Sequence, residues 1–257
     1  MTQPPVTSLC THALDSIHYR DANIVEELLG KRSFTEVMFM QIMGRDSRPV
    51  DLRIIDACMI ALMEHGLTPS AIATRLVYMS APENVQGGVA AGLLAVGSQF
   101  VGTMENCSRL LDQIEGSGDI EVTAMEIARE HRGRKASVPG FGHHLHKPDD
   151  PRAAKLIALA RAEPDFAPGK LDALAALSRA VDATWGRHLT INATGATAAL
   201  LGGIGIPTEI MRGFAVVSRA AGLVSHIAEE QKSPSGRFIW ETIDQAIPFV
   251  GKNKETR

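Results

Sequence analysis

The sequence predicts an all-α fold. Apolar residues recur at helical spacing through Asp51 to His65, at Leu52, Ile55, Cys58, Met59, Leu62 and Met63. Helix-start and helix-stop residues alternate along most of the chain. Strand patterning is scarce, with only Ser16 to Arg20 able to pair, and weakly.

The helices follow in order. Asp51 to His65 ends at Gly66, a C-terminal stop. Thr68 and Pro69 supply an N-cap and a first-turn proline for Ser70 to Tyr78. Ser80-Ala-Pro-Glu83 has the form of a capping box, predicting a helix that carries Gly88, Ala91, Gly92 and Ala95. Small residues at that spacing let two helix backbones approach closely, within the chain or across a dimer interface. Asp119 to His131 is a further helix, with Gly133 beyond it. Asp150-Pro151 caps another that runs through Arg161, and Lys170 to Trp185 precedes Gly186. The last long helix runs from near Pro207 to about Gln231. Between helices, Arg132 to Lys147 (RGRKASVPGFGHHLHK) concentrates Gly, Pro and titratable residues, which marks it as the candidate site loop or else an ordinary solvated connection.

Composition narrows the function. The 257 residues carry 26 Lys+Arg against 29 Asp+Glu, a net charge of −3, and only 5% aromatic residues, which argues against a nucleic-acid binder. The most apolar stretches, Val85 to Gly102 and Gly195 to Ile206, are Ala/Gly-rich and either interrupted by Gln or too short to span a bilayer. No membrane association is expected. The opening MTQPPVTSLCTHALDS lacks the charged and apolar regions of a signal peptide, and Cys10, Cys58 and Cys107 have no motif spacing. A cytoplasmic protein with reduced thiols is the expectation.

Several residues could carry chemistry. His65 ends a helix, where the dipole favours the imidazolium, or it bonds its own last carbonyls. His143, His144 and His146 form an H-H-x-H cluster with no acidic or Cys ligand at a recognised spacing, so no metal is expected. Gly140 and Gly142 allow backbone amides to approach a ligand, while Arg134, Lys135 and Lys147 suit phosphates or simply face water. Arg212, Arg219 and His226 are spaced by seven and share a face of an otherwise apolar helix, lining a pocket or facing solvent. Arg152, a cation in the first turn of its helix, opposes the helix dipole, which favours a ligand or partner role.

Together, EHG (Glu64 to Gly66), VPGFGHHLHKPDDPR (Val138 to Arg152), NATGATAALL (Asn192 to Leu201) and VSRAAGLVSHIAEE (Val217 to Glu230) resemble the citrate synthase superfamily. The likeness is strongest to the short citryl-CoA lyase branch, which includes the C-terminal module of ATP-citrate lyase. The segment Tyr19 to Arg45 fits the same branch. The resemblance implies one unit over residues 1–257: a two-lobed helical fold in an intertwined dimer, with a large lobe of about 1–110 and 190–257 and a small lobe of about 111–189. It implies coenzyme A, as an acyl-CoA substrate, beside a di- or tricarboxylate. It matches His65 to the histidine that binds the acid's oxo or hydroxy group, and His143 to the histidine that contacts the same oxygen and shuttles its proton. Arg152 and Arg219 match carboxylate-gripping arginines, and Arg237 matches an arginine that crosses to the partner subunit. Gly140, Phe141, Gly142 and Lys147 lie where the family loop meets coenzyme A.

Thr194 departs from that pattern. The family has an Asp there, which moves the proton of the acetyl methyl group, and a threonine hydroxyl has no carboxylate pKa. Glu105, Glu229, Glu230 or a water held by Thr194 would take its place, or Thr194 is simply the N-cap of a helix starting at Gly195. The histidine of the full-length synthases is likewise replaced, by Val101, as in the lyase branch. The expected activity is cleavage or formation of the C–C bond between acetyl-CoA and an oxoacid such as oxaloacetate. The alternatives are altered acyl-CoA chemistry on the same fold, such as another oxoacid or thioester hydrolysis, and a non-catalytic CoA- or carboxylate-binding subunit. The sequence has no P-loop, so a separate citrate-activating ligase is the expected source of citryl-CoA.

Overall fold

A computed structural model of the chain describes residues 4–97 and 102–250. Val101 lies outside the described residues. The chain opens with a small antiparallel sheet of β1 (Cys10–His12), β2 (Ile17–Tyr19) and β3 (Ala22–Asn23), in that order, with Thr11 opposite His18. The all-α expectation is corrected to that extent. These strands are too short and too exposed to print an alternating pattern. Arg20 docks the sheet, donating from Nε to Met40 O at 3.0 Å and from Nη2 to Gln41 O at 2.6 Å, near the C-terminal end of α1 (Phe34–Met43). Those carbonyls are the acceptors that a helix end leaves open.

The remainder is helical: α2 (Pro49–Met63), α3 (Pro69–Ser80), α4 (Val85–Leu94), α5 (Thr103–Glu115), α6 (Ile120–Gly133), α7 (Pro151–Ala162), α8 (Gly169–Trp185), α9 (Ala193–Gly203), α10 (Met211–Glu230) and α11 (Gly236–Ala246). The predicted helices are present at nearly their expected bounds. The capping box is not. Ser80 closes α3, and α4 opens from Asn84, whose Oδ1 accepts the Gly87 N–H at 2.8 Å. Pro82 disfavours helical backbone at Ala81, and Asn is the stronger N-cap.

Helix α9 is the hub. Ala193 and every residue from Gly195 to Leu201 are buried, and α9 packs against α2, α5, α7 and α8. A short helix apolar on all sides is a core helix here, which accounts for the apolar stretch from Gly195 to Ile206. Ile54 and Ile55 of α2, Met104, Leu111 and Ile114 of α5, and Leu174 and Leu177 of α8 fill the same core. Each such side chain contributes about 1.5–3 kcal/mol of burial. The small residues of α4 serve packing within the chain: a Cβ on Gly92 would collide with Thr74 of α3 and Leu223 of α10.

Helix α10 crosses the end of α2. A Cβ at Gly222 would strike the Met63 carbonyl oxygen, so only glycine permits this approach. The crossing brings Arg219 and His226 of α10 up to Glu64, the C-cap residue of α2. No helix among the described residues is long and apolar enough to cross a membrane.

Candidate active site

Three segments meet: the end of α2, the loop before α7, and the start of α9. The loop is held by backbone pairing. Phe141 bridges Ile191, Gly142 N donates to Thr190 O at 2.7 Å, and Asn192 N donates to Gly140 O at 3.0 Å. Gly140 has φ +88°, and a Cβ on Gly195 would sit 2.5 Å from the Gly140 oxygen, so loop and helix touch through two glycines. Phe141 turns into the core.

Asp150 ties the segments together. Its carboxylate caps α7 at Arg152 N (3.0 Å), takes the Arg152 guanidinium at Nε (3.1 Å) and Nη2 (2.8 Å), and accepts Ala193 N at 3.1 Å. Burial favours its neutral acid, but the Arg152 guanidinium and the two N–H groups outweigh that and hold its pKa below the usual carboxylate range.

His65, just past α2, stands 5.7 Å from His143, ring centre to ring centre, and 5.7 Å from His146. His143 Nδ1 accepts the N–H groups of Leu145 (3.1 Å) and His146 (3.0 Å). The proton of the neutral ring is therefore on Nε2. Burial, then the neighbouring His146, lowers the His143 pKa, with Asp150 opposing and His144 and Arg152 adding to the fall. A neutral imidazole presenting N–H is suited to a carbonyl or alkoxide oxygen.

The same geometry bears on metal binding. Ring nitrogens of His65, His143 and His146 all lie within 4.8 Å of one another. Counting spacings within one segment could not reveal this group, because His65 comes from far earlier in the chain. Yet the His143 lone pair on Nδ1 is already taken by two backbone donors, and Nε2 carries the proton. That donor set fits an oxygen anion better than a metal ion.

Arg219 is largely buried, and its Nη1 has no hydrogen-bond partner; Glu64 Oε2 is 3.6 Å away. Burial lowers its pKa, Glu64 opposes, and Arg152 adds to the lowering. The Arg152 charge thus lies near enough to both Arg219 and His143 to disfavour a further positive charge on either. The structure brings His65, His143, Arg152 and Arg219 into one region. Arg237 is elsewhere, exposed on α11, with Nε donating to Glu241 at 2.8 Å, and Lys147 is exposed.

Thr194 is not the N-cap of α9. Asn192 is, its Oδ1 accepting Gly195 N at 3.0 Å and the Thr194 hydroxyl at 2.7 Å. Thr194 also meets the Thr103 hydroxyl at 2.9 Å. The three suggested substitute carboxylates are all engaged, Glu105 with Arg212 and Glu229 and Glu230 with Arg75. Burial pushes the Cys58 and Cys107 thiols up to about 12, which removes them as nucleophiles. Sequence reasoning passed over Arg75, although a lone cation in an otherwise apolar and small helix was the available signal. It read Asp150 only as a cap.

The candidate site of this mostly helical fold pairs imidazoles with guanidinium groups, donors whose chemistry suits carboxylates. The family model described as citrate synthase, C-terminal domain, matches residues 6–240, and the chain belongs to the citrate synthase family. It is similar to citryl-CoA lyase from Hydrogenobacter thermophilus, at 27% identity and TM-score 0.86, over 99% of this chain and 98% of that one. ATP citrate lyase from Methanothrix soehngenii, solved with citrate and coenzyme A, has 19% identity and TM-score 0.80, over 99% of this chain and 43% of that one. ATP-citrate synthase beta chain protein 2 of Arabidopsis thaliana is 24% identical over 209 residues, covering 74% of this chain and 34% of that protein. The curated relatives are longer, and the chain spans 56% of the mycobacterial ones and 34% of the Arabidopsis protein.

Proposed function

We propose that the chain is a citryl-CoA lyase-type enzyme, cleaving or forming the C–C bond between an acetyl-CoA unit and an oxoacid such as oxaloacetate. The observation that carries this reading is the meeting of His65 and His143 beside an unsatisfied, buried Arg219 N–H. Arg219 and Arg152 grip the acid's carboxylates. His65 and the Nε2–H of His143 hold its oxo oxygen. Both donors steady the negative charge that this oxygen carries in the transition state. In cleavage the hydroxyl loses its proton, the C–C electron pair passes to the acetyl carbon as an enolate, and a proton added there yields acetyl-CoA, so one proton leaves and one is gained. The forming direction is the reverse, one proton leaving the acetyl methyl and one reaching the oxygen as the bond closes.

Coenzyme A is supported by a cavity of about 510 Å³ beside the site loop, lined by Arg132, Lys135, Ala136, Ser137 and Trp185. Arg132 lies over the Trp185 ring at 5.5 Å. Two cations and an aromatic plane suit phosphates and a base. Gly140 to Gly142 and Lys147 follow in the same connecting segment and would meet the remainder of the cofactor. The exposed Phe238, Trp240 and Ile243 of α11 support a homodimer or higher even oligomer, in which Arg237 reaches the partner's pocket and the segment of about 111–189 closes as a lobe on the rest. A separate ligase supplies citryl-CoA.

Thr194 favours a second reading. With no carboxylate at that place, and with Glu105, Glu229 and Glu230 all ion-paired, the chain would bind coenzyme A and acid without turnover, as a subunit beside an active enzyme. Incubation with citryl-CoA, following oxaloacetate and acetyl-CoA, separates the two. Product supports the lyase, whereas intact binding without product supports the binding subunit. Release of free coenzyme A from other acyl-CoAs would point to altered chemistry instead.

A further inference from the structure

Two unsatisfied donors, His226 Nε2 and Arg219 Nη1, face one carboxylate, Glu64. Glu64 Oε1 accepts the His65 N–H at 2.8 Å. Its Oε2 is 2.9 Å from His226 Nε2 and 3.6 Å from Arg219 Nη1, and neither N–H is aligned on it as a hydrogen bond. Among the described residues, Glu64 is the sole carboxylate ion-paired with Arg219. Closed onto Arg219 as a direct pair, it would occupy the place of a ligand carboxylate.

The His226 ring is held from behind. Arg75 Nε donates to His226 Nδ1 at 3.0 Å, and because a guanidinium only donates, the ring's proton is on Nε2, toward Glu64. Arg75 is itself fixed by Glu230 Oε2 at 2.8 Å, by Ser235 Oγ at 3.0 Å and by Glu229. Glu230 in turn accepts the N–H groups of Ser235 (2.8 Å) and Gly236 (2.6 Å) at the start of α11. Both Arg75 and His226 are buried. The chain of contacts thus runs from α11 through α3 and α10 to the end of α2.

We propose that His226 is a positioning residue that draws Glu64 off Arg219, so that an incoming carboxylate finds the guanidinium free. Glu64 is an internal placeholder, and substrate binding moves it fully onto His226. This rests on the carboxylate-gripping role of Arg219 proposed above.

Calorimetric titration with citrate tests it. His226→Leu leaves Glu64 to pair with Arg219 and weakens citrate binding about tenfold, the scale of one competing charge-assisted hydrogen bond, with coenzyme A binding unchanged. Adding Glu64→Gln to that variant restores citrate affinity, which a merely structural loss would not do. His226→Gln keeps an N–H near the Nε2 position and stays within about threefold of the wild type, by the same hydrogen-bond reasoning. Unchanged citrate affinity in a folded His226→Leu protein, or no recovery in the double variant, overturns the proposal. Nitrogen NMR of histidine-labelled protein gives a readout that leaves His226 in place: an Nε2–H tautomer whose signal shifts in Glu64→Gln supports it, and an Nδ1–H tautomer in the wild type overturns it. If the wild type does not bind citrate, the reading of Arg219 falls, and the His226–Glu64 pairing is decided by the NMR alone.

Discussion

Asp150 accepts the Ala193 N–H at 3.1 Å, so the carboxylate that caps α7 also pins the first turn of α9. The loop carrying His143 ends at this residue, and Arg152 is forked onto it. Asp150→Ala strands a buried N–H and releases Arg152, at a cost of about 2–4 kcal/mol in urea denaturation. Citrate affinity falls with it. Stability within about 0.5 kcal/mol of wild type, the range of an ordinary surface change, would deny Asp150 this role.

The same carboxylate sets a pH dependence. Its pKa is lower in the folded protein than in the unfolded chain, as are those of Asp51, Glu64 and Glu230. The stability they contribute is present in full above the unfolded value, about pH 4, and is lost as pH falls from there through the depressed folded values. His188 has the opposite sign. Its hydrogen bonds to Asp182 and then Asp149 raise its pKa, so its contribution is complete below about pH 6.5 and fades as pH rises through the folded value. Denaturation midpoints should therefore fall on acidification below about pH 4, and the decline that sets in as pH rises above about 6.5 should be smaller in His188→Gln. The raised Cys58 and Cys107 thiols add a decline above about pH 8.5 that this variant keeps.

Gly222→Ala tests the crossing that builds the site. The added methyl meets the Met63 carbonyl oxygen, which is backbone and cannot rotate away. A loss of about 1–3 kcal/mol is expected from overpacking, together with weaker citrate binding, because Glu64 and His65 follow Met63 directly. Gly97→Ala, where a Cβ meets nothing, is the control and should be neutral.

How much of this was legible in the sequence follows from where each signal resides. Caps and stops are local chemistry, so Asp119, Asp150 and Gly186 placed their helices correctly. The capping-box reading at Ser80 failed because Pro82 vetoes the backbone that the box requires. His65, His143, Arg152 and Arg219 could be named one by one, but no spacing showed that His65 and His146 would face each other or that Arg75 would stand behind His226. Those are properties of a helix crossing permitted by glycines, and they exist only in three dimensions.

His143→Ala should lower turnover of citryl-CoA far more than it weakens coenzyme A affinity. The ring is held by two backbone N–H groups at a centre-to-centre distance of 5.7 Å from His65, and it does not line the basic cavity beside Trp185. A loss of about 10²–10³-fold in rate is the range for a removed donor to a developing oxyanion. Equal losses in rate and coenzyme A affinity would reassign His143 to ligand positioning.

Thr194→Asp is the decisive substitution. Thr194 sits in the first turn of α9, where the helix dipole favours a carboxylate, and the Thr103 hydroxyl at 2.9 Å is placed to donate to one. The Asn192 carbonyl loses the Thr194 hydroxyl but keeps the Gly195 N–H, so the cap survives. If the hydroxyl is what limits the chain, the aspartate should raise citryl-CoA cleavage by about 10²–10⁴-fold, with coenzyme A affinity unchanged. Thr194→Ala should leave the wild-type rate where it is, because a hydroxyl without a carboxylate pKa has no methyl proton to move. Suppose instead that Thr194→Ala abolishes a measurable wild-type activity. The threonine, or a water it holds, is then part of the chemistry, and the substitution for the family carboxylate is a working one rather than a loss.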